Sequence, residues 1–181
     1  MYKAVTLSAV LLLTVFPCAV ARAEPLGTPP AAAKRGELPA SVTDFLKGNW
    51  SGSGAFATGR PVTSTLDFAP VAQDVALELH YAEASPDTFV YSALLSVDTV
   101  NPGLVLLLAG NNSGGARLFR SKGWDADTLT FVATPDLRAW FGFERVTFTR
   151  HDDRHMTVTY EISRDGQTWK LGDRQDFQRD G

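Results

Sequence analysis

The chain predicts an all-β fold: a single closed antiparallel up-and-down β-barrel of about eight to ten strands, with a short N-terminal helix at its base. Three observations carry that expectation. From Trp50 to Phe177 the apolar residues recur with period two rather than with a helical period. Turn residues interrupt the alternation at short, near-regular intervals, with no βαβ rhythm and no longer repeat. The first strand opens on Gly48, Gly52 and Gly54 spaced around Trp50, which suits a sheet that must bend sharply to close. Consecutive short turns favour hairpins, and a sheet of hairpins loses its exposed edges only by closing.

Before the barrel come two segments of different character. Lys3 precedes an apolar run from Ala4 to Ala19, and Ala21-Arg22-Ala23 supplies a small-x-small cleavage pattern, so residues 1–23 read as a secretory signal peptide. The run is too short and too poorly flanked for a membrane anchor. Phe16-Pro17 before Cys18 is a poor lipidation context. Cleavage near Ala23 would place the mature chain in the periplasm or outside the cell. Residues 24–39 are rich in Pro and Ala without an apolar period and read as a flexible leader, leaving residues 40–181 as the barrel domain.

Ser41 to Lys47 predicts the helix, with Val42, Phe45 and Leu46 on its buried face and Gly48 as its stop. In the first strand Trp50, Gly52, Gly54 and Phe56 share the inner face. Val62–Phe68, Val75–Tyr81 and Phe89–Val97 continue the alternation. Leu104 to Leu108 reads as a strand apolar on both faces. Arg117–Lys122, Thr128–Thr134, Glu144–Arg150, His155–Ser163 and Thr168–Phe177 complete the set, the last two joined by the turn Arg164-Asp165-Gly166-Gln167.

Charge and cysteine content exclude several functions. With 17 basic against 20 acidic residues the chain is mildly acidic, and loss of Lys3 and Arg22 with the signal peptide makes it more so. A nucleic-acid surface needs the opposite balance. Cys18 also leaves, so the mature domain has no disulfide, thiolate–zinc site or thiol nucleophile and must rely on its core. Two sequons, at Asn49 and Asn111, matter only in a eukaryotic secretory pathway and are read as chance.

Helix, then Gly48-x-Trp50 opening the first strand, then an antiparallel meander resembles the lipocalin–calycin superfamily. The resemblance implies that Trp50 packs under an arginine of the last strand, for which Arg179 is the candidate. Leu46-x-Gly48-x-Trp50-x-Gly52-x-Gly54 is also similar to the opening of the nitrobindin-like family, which implies a ten-stranded haem-binding barrel. Small secreted bacterial proteins of unknown function share the same look. After Gly54 the chain reads Ala55-Phe56-Ala57, where nitrobindins show Tyr-Pro-Thr-Ile.

The expected interior offers Tyr81, Tyr91, Leu95, Phe119, Phe131, Phe148, Met156, Val158 and Tyr160, a set that either fills the barrel or lines a pocket. Interior phenols, which require hydrogen-bond partners, favour a pocket. In that reading Tyr81, Tyr91, Phe119, Phe131 and Tyr160 form the wall. Trp140, Phe141 and Phe143 lie in a connection between Pro135 and Gly142, where they could cover the mouth with Arg138 beside them, or pack as ordinary core. His151 and His155 flank Asp152-Asp153 in a wholly polar turn, and His80 sits on an outward face; neither arrangement has the spacing of a metal site. No nucleophile elbow, metalloprotease motif or phosphate loop is present.

The expectation is therefore a secreted or periplasmic barrel binding a small apolar or amphipathic molecule. No cofactor is expected, haem being the minority alternative. A filled barrel acting on another envelope protein through Trp140 and Phe141 is the second reading, and an enzyme the third.

Overall fold

The computed structural model describes residues 36–181, apart from residues 87, 88 and 113. The expected signal peptide and most of the expected leader therefore lie outside the described residues. Leu38, at the end of the segment read as leader, is buried in the core.

Helix α1 (Ala40–Leu46) is followed by β1 (Gly48–Phe56), β2 (Pro61–Val71), β3 (Ala76–Ser85), β4 (Val90–Val97), β5 (Leu104–Gly110) and β6 (Ala116–Ser121). Then come β7 (Trp124–Asp125), β8 (Thr128–Ala133), β9 (Phe143–Arg150), β10 (His155–Ser163) and β11 (Lys170–Arg179). Every pairing is antiparallel. Strands adjacent in sequence are adjacent in the sheet except β6 and β7, β1 pairs with β11, and β6 pairs with β8. The result is a closed ten-strand up-and-down barrel. The two-residue β7 hangs on β8 outside that ring, and it is the one strand the alternation does not predict.

Closure orders the ends. The turn at residues 151–154 and the helix lie at one end; the turns at residues 57–60, 111–115 and 164–169 lie at the other. The helix end is sealed. Trp50 is fully buried and donates from Nε1 to the Leu46 carbonyl at 2.9 Å. The Phe45 ring lies 5.4 Å from Trp50 and 5.5 Å, edge-on, from Trp124. In the helix half of the interior Phe148 stands 6.2 Å from both Phe68 and Phe131, and Leu77, Leu95, Leu129 and Met156 complete a packed apolar core.

The glycines of β1 serve neighbouring strands. A Cβ on Gly52 would lie 2.4 Å from the Phe177 ring, and one on Gly54 would lie 1.9 Å from the Arg174 carbonyl oxygen. The space beside Trp50 is therefore taken by β11, leaving none there for an occupant. Leu104–Leu108 forms the expected strand, apolar on both faces. Leu104, Leu106 and Leu108 are buried, but Leu107 points outward and is 46% exposed beside its cross-strand partner Leu94. The hairpin after β10 forms as expected, but β11 starts two residues late because Asp165 captures the Gln167 and Thr168 amides at 2.8 Å each. Among the described residues no helix is long and apolar enough to cross a membrane.

Candidate functional site

The half of the barrel away from the helix is not filled. It holds a cavity of about 350 Å³. Its polarity follows from strand parity. On four strands a polar residue near the open end and an apolar residue two positions nearer the helix both face in: Arg117 and Phe119 on β6, Glu144 and Val146 on β9, Tyr160 and Val158 on β10, Gln175 and Phe177 on β11. The cavity thus has an apolar floor and a polar belt above it. Phe56, Arg60, Glu83, Phe89 and Asn112 stand around the opening, where Arg60 and Asn112 are exposed.

The belt is a hydrogen-bonded network in two parts. In one, Arg117 and Glu144 are 2% and 3% exposed and form an ion pair at 3.3 Å. Tyr160 donates its hydroxyl to the same Glu144 oxygen, Oε1, at 2.9 Å. Glu144 Oε2 and Arg117 Nε are buried without a partner. A buried pair with such gaps contributes little to stability, since desolvation offsets its attraction. Gly110 and Gly114 pack on the guanidinium; a Cβ on Gly114 would meet Nη1 at 2.3 Å.

In the other part Ser64 donates to Gln175 Oε1 at 2.5 Å, and Gln175 Nε2 donates to the Tyr81 hydroxyl and to Asp173 Oδ1, both at 3.1 Å. Tyr81 and Tyr91 stack with centroids 4.8 Å apart and planes 13° from parallel. A β-bulge between Tyr160 and Glu161 marks the pairing with β11, and Gly172 makes room there for the Tyr160 ring, which a Cβ would meet at 2.5 Å.

Burial governs the titration of these groups. It raises the Glu144 carboxyl above its ordinary range despite Arg117, the Tyr160 hydrogen bond and the Ala139 backbone amide. Burial raises Asp173 as well, opposed only by the bond from Gln175. It also drives the phenols of Tyr81, Tyr91 and Tyr160 far up, so they remain neutral donors.

Of the residues expected to form a pocket, Tyr81, Tyr91, Phe119 and Tyr160 are brought together on this cavity. Phe131 is not: it lies in the filled half against Phe148. Arg138 stacks on Phe143 at 4.6 Å and does not reach the cavity. Trp140 lies in the connection between β8 and β9 at the open end, but it is 78% exposed and touches Phe141 edge-on instead of covering the opening. Trp140 is accordingly no lid. The structural signature forms: Trp50 and Arg179 are cross-strand partners, and the Arg179 guanidinium carbon lies 4.2 Å over the indole.

Sequence reasoning missed Arg117, Glu144, Asp173 and Gln175. Their signal was parity, each standing two or four residues from an inward aromatic on its own strand, but a charge at an inner position reads as a strand end. None of the three histidines lines the cavity. His80 is outward beside Ser92, while His151 and His155 sit in the turn at the helix end, bonded to Thr157 and Asp152. A histidine-ligated haem does not fit this cavity. Among the described residues no group of three potential ligands is placed to hold a metal ion.

No family model and no curated protein matches the chain. Among solved structures, Rv2717c from M. tuberculosis is similar, with a TM-score of 0.55 and 16% identity over 80% of this chain and 99% of that one. A de novo designed fluorescence-activating β-barrel matches at TM-score 0.42 and 11% identity, over 77% of this chain and 97% of the design. The barrel EF1p2_mFAP2b, whose structure is bound to DFHBI, matches at 0.43 and 11%, over 76% and 96%. At 16% identity the likeness to Rv2717c is one of fold.

Proposed function

We propose that this protein is a lipocalin-like carrier or sensor that binds one small amphipathic molecule in the open half of its barrel and acts outside the cytoplasm. The observation that supports this is the cavity: a 350 Å³ space with an apolar floor, a belt of polar side chains and a rim at the open end. Core packing normally leaves few voids larger than a water, and small-molecule sites are mostly apolar with a few placed polar groups. The Trp50–Arg179 stack supports the calycin resemblance, and the residues before Glu24 support export. Native mass spectrometry of protein purified from its own host is the test. It should release a compound of defined mass, and Val158→Phe, which fills the floor, should abolish that release without lowering the melting temperature. A chain that is bare, and stays bare after incubation with apolar and amphipathic compounds, would overturn the reading. Recovery of a mature N-terminus at Glu24 tests export.

One observation supports the second reading, contact with another envelope protein. Trp140, at 78% exposure, has the exposure of an interface anchor. Trp140→Ala should then weaken partner capture and leave the cavity's ligand in place.

A further inference from the structure

The charges on the cavity wall do not balance. Arg117 is committed to Glu144, whereas Asp173 takes one bond from the neutral Gln175 and belongs to none of the ion pairs found among the described residues. Glu144, 3% exposed and on the same wall, has its Oε2 left without a donor. Between these two acids the wall is aromatic: Tyr160 is the cross-strand partner of Asp173, and the stacked Tyr81–Tyr91 pair continues from the Tyr81–Gln175–Asp173 chain. A carboxylate in a low-dielectric wall without a cation, an orphaned acceptor, and ring faces beside them call for the same complement. That complement is a positively charged group carrying N–H donors.

Resting on the reading of the cavity as a ligand site, we propose that its ligand is an organic cation: a protonated amine on a compact aromatic or aliphatic body. Asp173 is its counter-ion, Glu144 Oε2 accepts an N–H, and the body lies on the Phe119–Val146–Val158–Phe177 floor. Burial raises both carboxyls, and that is the cost an incoming cation removes. The Arg117–Glu144 pair does not repel such a ligand, being neutral as a unit, and Arg60 stacks at 4.7 Å on Phe56 at the exposed rim, where solvent screens it.

The test uses three fluorescent probes with one naphthalene body: 1-naphthylmethylamine, 1-naphthylmethanol and 1-naphthylacetate, titrated into the purified protein at pH 7. The amine should bind at least tenfold tighter than the alcohol, and the carboxylate weakest. Asp173→Asn should bring the amine to the level of the alcohol and leave the alcohol unchanged; Glu144→Gln should cost the amine severalfold. Binding of amine and alcohol with equal affinity, or tightest binding of the carboxylate, would overturn the cation and leave the cavity reading standing. If none of the three binds while the chain is folded, both readings fail together.

Discussion

Arg179 covers Trp50 and also ends the helix. From the last strand its guanidinium lies over the indole, while Nη1 and Nη2 donate to the Lys47 and Phe45 carbonyls and Nε donates to the Asp153 carbonyl at 3.2 Å. One side chain thus joins the first strand, the last strand, the helix C-terminus and the turn after β9. A helix C-terminus exposes carbonyls without intrahelical partners, and a cation there meets both that need and the helix dipole.

Arg179→Leu keeps the aliphatic cover but removes the charge and its donors. The expected loss is about 1–3 kcal/mol, the sum of a cation–π contact and charged hydrogen bonds. Trp50→Ala should cost more, about 3–5 kcal/mol, because it also leaves a cavity. Denaturant unfolding reads both, and an unchanged m-value shows that the folded state stays compact.

Gly52 and Gly54 should respond differently to alanine. The added methyl at Gly52 meets a ring, at Gly54 a backbone carbonyl. Gly52→Ala should therefore regain stability when combined with Phe177→Leu, whereas Gly54→Ala should have no such partner. Melting temperatures of the two single variants and the double variant decide it. Absence of rescue would mean that strand conformation, not space, requires Gly52.

Phe131 and Val158 separate core from cavity. Phe131→Ala should cost about 3–5 kcal/mol of stability by emptying the packed half, with ligand affinity unchanged in the fraction that folds. Val158→Phe should do the reverse. Paired melting and ligand-release measurements check the contrast.

The acids predict opposite pH dependences. Two backbone amides and Arg120 hold Asp98 below the ordinary carboxyl range, and backbone amides with Ser163 do the same for Asp165. Below about pH 4 the unfolded chain binds more protons at these sites, so their contribution is lost as pH falls and stability rises with pH across that window. Glu144 and Asp173 are raised, so above the ordinary range the folded state holds more protons than the unfolded one, and stability falls as pH rises toward neutral. Asp98→Asn should flatten the acid limb. Asp173→Asn should raise the melting temperature at pH 7 and remove part of the neutral fall; a lower melting temperature would show that the Asp173 charge stabilises the folded barrel.

The ten strands of the ring and the helix over Ala40–Leu46 were legible because each rests on a local rule, period two or a glycine stop, whereas the Trp50–Arg179 partnership was implied only by the family resemblance of the opening motif. Tyr81, Tyr91, Phe119 and Tyr160 were legible for the same reason, as inward aromatics. Trp140 misled because a loop aromatic at the right end of the chain's path need not turn toward the opening, and Phe131 because parity says in or out but not how deep.

The amino-acid sequence by itself determined the alternation, the turns, and hence which side chains face inward, since a strand's two faces follow from residue number alone. Only the tertiary structure decided how those inward residues are shared between a filled half and a hollow half. Depth along the barrel depends on the stagger between strands far apart in the chain. That stagger set Phe148 between Phe68 and Phe131 at the helix end, and brought Arg117, Glu144 and Asp173 from three strands around one cavity at the other.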